Sequence, residues 1–283
     1  SDKKFAEVPF KVAVEDNGKS FYKLTVKTRN KIVADGLQDD AFDVTNVGTH
    51  LSAEEWNKQM DKAVVVDMRN FYESEVGHFE NAICPDAHSF RQELPMVVDL
   101  LKGKEEKKIL LYCTGGIRCE KGILELQDKG YENVFQLDGG IINYLKQKPN
   151  EEFKGECFVF DHRVAVDQNL MPSRRYSLCP HCGQPGETVI TCQRCDHVEK
   201  ICQDCAKLEF KGETCSKNCA HQWKLHPGRK GARQLLPFEL EQSLEKWGDQ
   251  APVKEIRVTK NKVIEINSLG YAETRTRNGQ PHP

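Results

Sequence analysis

An α/β domain built on a largely parallel sheet with flanking helices, followed by a small cysteine-rich module, is the fold class this sequence predicts. Three observations predict it. Between about residues 45 and 150, short continuous apolar runs alternate with amphipathic helical stretches, the pattern of strands covered on both faces by helices. Eight of the twelve cysteines crowd between Cys179 and Cys219, mostly as C-x-x-C pairs. And 283 residues with 30% charged side chains and a formal net charge of −2 suffice for two modest domains, or one domain with appendages.

The elements follow in order. The first forty or so residues offer one alternating strand, "SFYKLTVKTR" (20–29), too little for a domain of its own. Ser52 with Glu55 has capping-box spacing and opens a helix that carries Trp56 and Met60 on one face. "AVVVDM" (63–68) and "KILLYC" (108–113) read as buried strands, and "NVFQL" (133–137) as a third. "QELPMVVDLLKG", "CEKGILELQDKG" (ending on Gly130) and "GGIINYLKQ" read as the intervening helices. "GECFVFDHRVAVDQNL" (155–170) is expected to form a strand and connector. Beyond the cysteine-rich module the sequence predicts a basic run, a short amphipathic helix and a hairpin turning at Lys260-Asn261-Lys262, with a disordered last dozen residues. The expected units are thus 1–44, 45–150, 151–170, 171–225 and 226–283.

Composition excludes several classes. A near-neutral chain is not a strongly basic nucleic-acid binder overall, so any such contact rests on a local patch. No run approaches the ~20 apolar residues of a membrane span, and "SDKKFAEVPFKV" lacks the apolar core of a signal peptide. Paired cysteines in such a chain point to metal binding in a reducing compartment, hence the cytoplasm, with no membrane partner.

"YCTGGIRCEK" (112–121) holds the chemistry. Cys113 ends a buried strand, and ligand sites of parallel sheets lie at such carboxyl ends. The loop Thr114, Gly115, Gly116 and Ile117 opens a helix, so several backbone N–H groups and a partial positive charge converge on the Cys113 sulfur. That setting, with the Arg118 cation, favours thiolate. Cys119, at the start of the same helix, is expected to share the tendency. The plain alternatives are a buried cysteine beside a Gly-Gly turn, and a small buried helix residue at 119. The ring is C-x4-R, one residue shorter than the C-x5-R of cysteine phosphatases. It suits a single sulfur or oxygen substituent on Cys113 better than a phosphoryl group.

In the module, "CPHCGQPGETVITCQRCDHVEKICQDCAKLEFKGETCSKNC" supplies Cys179, Cys182, Cys192, Cys195, Cys202, Cys205, Cys215 and Cys219. Short C-x-x-C turns each provide two thiolates of a tetrahedral site, so eight cysteines suffice for two structural zinc ions. Iron–sulfur clusters are the main rival and disulfides a distant third. Interleaved pairing is preferred, Cys179/Cys182 with Cys202/Cys205 and Cys192/Cys195 with Cys215/Cys219, though sequential pairing stays open. His181, His197 or His221 could replace a cysteine. A segment with few large apolar residues draws much of its folding energy from metal. Arg174, Arg175, His181, Lys224, Arg229, Lys230 and Arg233 in and around it form a candidate RNA-contacting patch, against the plainer reading of a solvated charged face.

The sequence resembles the rhodanese family. "VVDMR" (65–69) is similar to its D-x-R element, "ESEVGHFENAI" (73–83) to its E-x-x-x-GH-x-x-x-A element, and "CTGGIR" occupies the active-site loop. "GYENVFQLDGGI" (130–141) is similar to a further signature, all in order over about 100 residues. The resemblance implies a rhodanese-like sheet, an essential Cys113, an accessory thiol at Cys119, and scaffold roles for Asp67, Arg69 (as an ion pair) and His78 (as a hydrogen-bonding group). "RNFYESEVGHFENAI", "CTGGIRCEK", "LDGGIINYL" and "GECFVFDHRVAV" further resemble one subgroup, the bacterial tRNA uridine hydroxylases. That implies conversion of the wobble uridine of tRNA to 5-hydroxyuridine, with tRNA as partner, molecular oxygen as co-substrate, no evident flavin or nucleotide, an unnamed electron donor, and a monomer or homodimer. It also implies that residues 1–44 are the remnant of an acylphosphatase-like domain. The alternatives are a persulfide sulfurtransferase and a zinc-bearing adaptor whose rhodanese-like domain is inert. An intact Cys113 and Arg118 argue against the last.

Overall fold

Four short parallel strands carry the domain: β1 (Thr49–Leu51), β2 (Val64–Asp67), β4 (Ile109–Tyr112) and β5 (Val134–Leu137), in the order β1-β5-β4-β2. The structure, a computed structural model, describes residues 48–231, the single positions Thr28 and Gly36, and the backbone of 253–259, 262–267 and 272–273. The expected strand at 20–29, the acylphosphatase-like remnant, the amphipathic helix after the module and Arg233 lie outside the described residues.

Strand β4 shows why the apolar runs are continuous. Ile109 and Leu111 enter the core on one face, Leu110 and Tyr112 the core on the other. Helices cover both faces: α1 (Ala53–Gln59) and α5 (Gly140–Gln147) on the side of Trp56, Tyr112 and Tyr144; α3 (Phe90–Leu101) and α4 (Ile117–Asp128) on the side of Met68, Val97 and Ile123. Burying each such large apolar side chain contributes ~1.5–3 kcal/mol. Helix α1 begins as its sequence predicts: Glu55 N donates to Ser52 Oγ at 3.3 Å and Ser52 N to Glu55 Oε2 at 2.9 Å.

Strand β1 escaped sequence reading, since the three residues Thr49-His50-Leu51 carry no period; its parallel pairing with β5 creates it. Helix α3 starts at Phe90, ahead of the expected segment, and carries Pro95 inside it. Helix α4 starts at Ile117, so Cys119 lies within its first turn.

The segment 151–170, read as a connector, packs on this domain. Strand β6 (Phe153–Gly155) pairs antiparallel with β3 (Gly77–Phe79), and β7 (Cys157–Phe158) with β8 (Ala165–Val166). Phe153, Cys157, Val159, Val166 and Leu170 join the Trp56 core. Beyond them the module pairs β9 (Ser177–Leu178) with β10 (Pro185–Gly186) and β11 (Thr188–Thr191) with β12 (Val198–Ile201). Helices α6 (Gln203–Ala206) and α7 (Lys217–Leu225) follow. Strands β13 (Val253–Thr259) and β14 (Lys262–Asn267) form an antiparallel hairpin with Thr259 opposite Lys262, and β15 (Ala272–Glu273) adds a third strand. Among the described residues, no helix is long and apolar enough to cross a membrane.

Candidate active site and metal centres

Cys113 lies just past β4, at the carboxyl end of the sheet and only 2% exposed. Its loop is shaped from outside. Ile141 N donates to the Cys113 carbonyl at 3.0 Å and Ile142 N to the Thr114 carbonyl at 3.3 Å. The loop carbonyls are thereby turned onto the start of α5, which leaves backbone N–H groups for the sulfur. Gly140, at φ 66°, makes this approach feasible, for a Cβ there would sit 2.5 Å from Cys113 O and 2.7 Å from Thr114 O. Gly116, at φ 97°, turns the chain into α4 and donates its N–H to Cys113 Sγ at 3.0 Å.

The Cys113 thiol is pulled down to about 5, chiefly by a hydrogen bond from the Cys119 thiol, then by the Arg118 charge and the backbone N–H groups of Gly115 and Arg118, all against the opposing effect of burial. Cys113 is therefore a thiolate at neutral pH. Cys119 corrects one expectation. Its place in the first turn of α4 does not make it a second thiolate, because full burial and its neighbouring Cys113 anion push its own thiol well up. It is the protonated donor of the pair.

Arg118 is 12% exposed at its side chain and grips Glu73 through two bonds, Nη1 to Oε1 at 2.6 Å and Nη2 to Oε2 at 2.9 Å. Thr114 Oγ1 accepts a longer bond, 3.4 Å, from the same Nη2. Glu73 itself belongs to the short helix α2 (Phe71–Ser74), whose start is closed by an Asn70–Glu73 capping box. Asp67 and Arg69 form a fully buried pair, Nε to Oδ1 at 2.8 Å and Nη2 to Oδ2 at 2.6 Å. Arg69 Nη2 also donates to Gly77 O at 2.6 Å, tying the end of β2 to β3. His78 Nδ1 lies 2.9 Å from Ser74 O, a contact within the scaffold. On the far side of the loop, Gln136 Nε2 donates to Glu120 Oε1, and His50 bridges Glu120 (2.9 Å) and Asp138 (3.3 Å).

Sequence reading missed Glu73, although it heads the E-x-x-x-GH element. It also missed Glu93, which is fully buried and whose carboxyl oxygens have no hydrogen-bond partner among the described residues. The signal for Glu93 was its spacing, three after Phe90 and four before Val97, inside the apolar stripe of α3.

In the module, the sulfurs of Cys179, Cys182, Cys202 and Cys205 lie within 4.8 Å of one another, as do those of Cys192, Cys195, Cys215 and Cys219. This is the interleaved arrangement. Separations of 3.4 Å (Cys182–Cys202), 3.5 Å (Cys195–Cys215), 3.7 Å (Cys215–Cys219) and 3.8 Å (Cys195–Cys219) fit a tetrahedral ion with metal–sulfur bonds of about 2.3 Å, whose sulfurs stand roughly 3.8 Å apart. None of the twelve cysteines is in a disulfide. The local fold positions the ligands: Cys202 Sγ accepts from Cys205 N at 3.4 Å, and Ser216 Oγ caps α7 by accepting from Cys219 N at 3.1 Å. His181 stays outside both sets, its Nε2 2.6 Å from Thr214 O.

The basic patch is more neutralised than its sequence implies. Arg175 pairs with Glu187 and Lys230 with Asp196. Arg174, Lys224 and Arg229 are exposed.

A parallel sheet that presents a thiolate in a C-x4-R loop at a strand's carboxyl end defines a rhodanese-like domain. The family model described as "Rhodanese-like domain" matches residues 52–147, and one described as "Rhodanase C-terminal" matches 154–220. Whole-chain similarity narrows the class. The chain is 52% identical to a tRNA uridine(34) hydroxylase of Bdellovibrio bacteriovorus, over 93% of this chain and 75% of that protein. It is 47% identical to one of Leptospira interrogans, over 86% and 66%, and 42% identical to one of Erwinia tasmaniensis, over 79% and 65%. The chain thus spans three quarters of the first relative and about two thirds of the other two, and it belongs to the tRNA uridine(34) hydroxylase family.

Proposed function

We propose that this protein hydroxylates uridine 34 of tRNA, the wobble position, to 5-hydroxyuridine, with Cys113 as the reactive residue. The observation that carries the reading is the 52% identity to a tRNA uridine(34) hydroxylase across 93% of the chain. The Cys113 thiolate supports it, being a nucleophile held ready at neutral pH. Molecular oxygen is the co-substrate in this reading, and a separate electron donor completes the reaction. Cys119 sustains the thiolate, Arg118 and the loop Thr114–Ile117 shape its cradle, and Asp67, Arg69 and His78 hold the frame.

The two cysteine sets hold structural zinc, which supplies folding energy rather than chemistry on the substrate. Arg174, Lys224 and Arg229 offer phosphate contacts beside them. Residues 45–150 form the rhodanese unit and 171–225 the zinc module. A cytoplasmic setting follows from the substrate class and the free thiols.

The test is nucleoside mass spectrometry of tRNA from cells lacking the gene and complemented with wild type or Cys113→Ala. The expected result is 5-hydroxyuridine-type wobble bases with wild type and none with the variant. Hydroxylation that persists with Cys113→Ala overturns the assignment. A changed thiolation pattern with hydroxylation untouched moves the protein to sulfur transfer.

A further inference from the structure

The Cys113 site holds one more buried carboxyl group than its ion pairs account for. Asp67 is paired with Arg69, and Glu73 takes both arms of Arg118. Glu93 is left over. It projects from the face of α3 that carries Phe90, Leu94 and Val97 into the same core as Cys113 and Cys119. It is 0% exposed, and among the described residues neither of its carboxyl oxygens has a hydrogen-bond partner. Buried polar groups are normally satisfied, and one left bare on a helix face packed into the core of a reactive group asks for an explanation, a catalytic role among them. The loop is open to receive one: Thr114 and Gly115 are half-buried, and a Cβ on Gly115 would meet nothing within 4 Å.

We propose that the Glu93 carboxyl group is the acid of the Cys113 site, giving its proton to the O4 carbonyl oxygen of the bound uracil as the Cys113 thiolate adds to C6 of the ring. The proposal rests on the uridine-hydroxylase reading above. In this step the Sγ–C6 bond forms and the C5=C6 π pair moves to make C4=C5. The C4=O4 pair goes onto O4, O4 takes the proton, and Glu93 becomes a carboxylate. No oxidant enters, and C5, the position to be hydroxylated, is left as the electron-rich carbon of an enol.

The electrostatics keep that proton in place until it is needed. Burial pushes the Glu93 carboxyl up to about 9, and Asp67, Glu73 and the Cys113 thiolate push in the same direction, while Arg118 alone draws it down. These are the charged groups facing it from β2, α2, the loop and α4. Cys119 on α4 stays protonated. Acid and thiolate therefore coexist between about pH 5 and about pH 9, the combination that thiolate addition with proton donation requires.

The addition step can be observed without the oxidant. An anticodon stem-loop RNA carrying 5-fluorouridine at position 34 is incubated with the full chain, and the denaturation-resistant protein–RNA cross-link is followed against pH. Wild type is expected to cross-link, with a rate that falls above about pH 9, and Cys113→Ala not at all. Glu93→Gln, a neutral isostere that preserves packing, should cross-link about 100-fold more slowly and lose the alkaline fall. Its Cys113 should still react with iodoacetamide at the wild-type rate, since alkylation needs no acid. The proposal is overturned if Glu93→Gln cross-links at the wild-type rate, if it keeps the fall near pH 9, or if its iodoacetamide reactivity drops in parallel. It is also overturned if wild type hydroxylates tRNA in cells yet forms no cross-link. Absence of hydroxylated nucleosides in the complemented cells would instead sink the underlying reading, and this step with it.

Discussion

The protein handles sulfur in two opposite ways. At the loop, one sulfur is ionised by the protein alone: a neighbouring thiol, backbone N–H groups and Arg118 bring Cys113 to about 5. In the module, the sulfurs of each set lie within 4.8 Å of one another, and burial together with neighbouring sulfurs pushes the Cys205 and Cys215 thiols well up. Four thiolates at that distance cannot persist without a cation among them. A single thiolate surrounded by donors is poised to react. Four around an ion are satisfied and inert. Proximity of cysteines is thus no guide to reactivity; the identity of the counter-charge is.

The largest effect should come from removing the zinc proposed for these two sets. Structural zinc contributes about 10–16 kcal/mol in small zinc modules. Chelation, or Cys205→Ser, is expected to release metal and make 171–225 protease-sensitive, while Cys113 keeps its iodoacetamide reactivity. If Cys113 reactivity collapses too, the two regions are not independent. Two zinc ions per chain should be counted by metal analysis of the intact protein.

Gly140→Ala should come next. It forces a Cβ to 2.5 Å from Cys113 O at φ 66°, a conformation that costs a non-glycine residue about 1–3 kcal/mol. The expected outcome is a lower melting temperature together with a Cys113 alkylation midpoint moved up from about 5, with zinc content unchanged.

Cys119→Ala is milder. It deletes the main donor to the thiolate, so the midpoint for alkylation of Cys113 should rise from about 5 towards the ordinary value of 9.0. Cys119→Ser retains a donor and should shift it less. If Cys119→Ala leaves the midpoint in place, the pairing of the two thiols is wrong. If Cys119→Ser leaves tRNA hydroxylation unaltered, any part for Cys119 beyond donating that bond is excluded.

The remaining effect is on the pH dependence of stability. A cysteine whose folded value is depressed stabilises the fold above the unfolded value of 9.0, and that contribution is lost as pH falls through about 5. The gap in melting temperature between wild type and Cys113→Ala should therefore narrow steadily from pH 9 to pH 5.

The legible parts of this molecule were those with local cause. Continuous apolar runs marked β2, β4 and β5, because both faces of the sheet are covered. Glycines and an arginine at short range marked the Cys113 loop, and cysteine spacing marked the eight clustered cysteines as two sets, with the interleaved pairing preferred over a sequential one that only the three-dimensional arrangement decides against. What escaped reading depends on distant residues. Strand β1 exists through its pairing with β5. The Glu73–Arg118 pair joins positions 45 residues apart, and the spacing that puts Glu93 in the apolar stripe of α3 says nothing of what its carboxyl group meets there. The direction of the proton between Cys113 and Cys119 was also beyond reach, because it is decided by which sulfur the backbone N–H groups of the folded loop reach.

Gly140 has one more consequence. The loop's carbonyls are held by amides of α5, which the ribosome delivers more than twenty residues after Cys113. The loop is therefore held from outside only once α5 has docked, and the thiol pulled down to about 5 belongs to the folded chain. Chemical hazard is thereby confined to finished molecules: the warhead is armed by assembly.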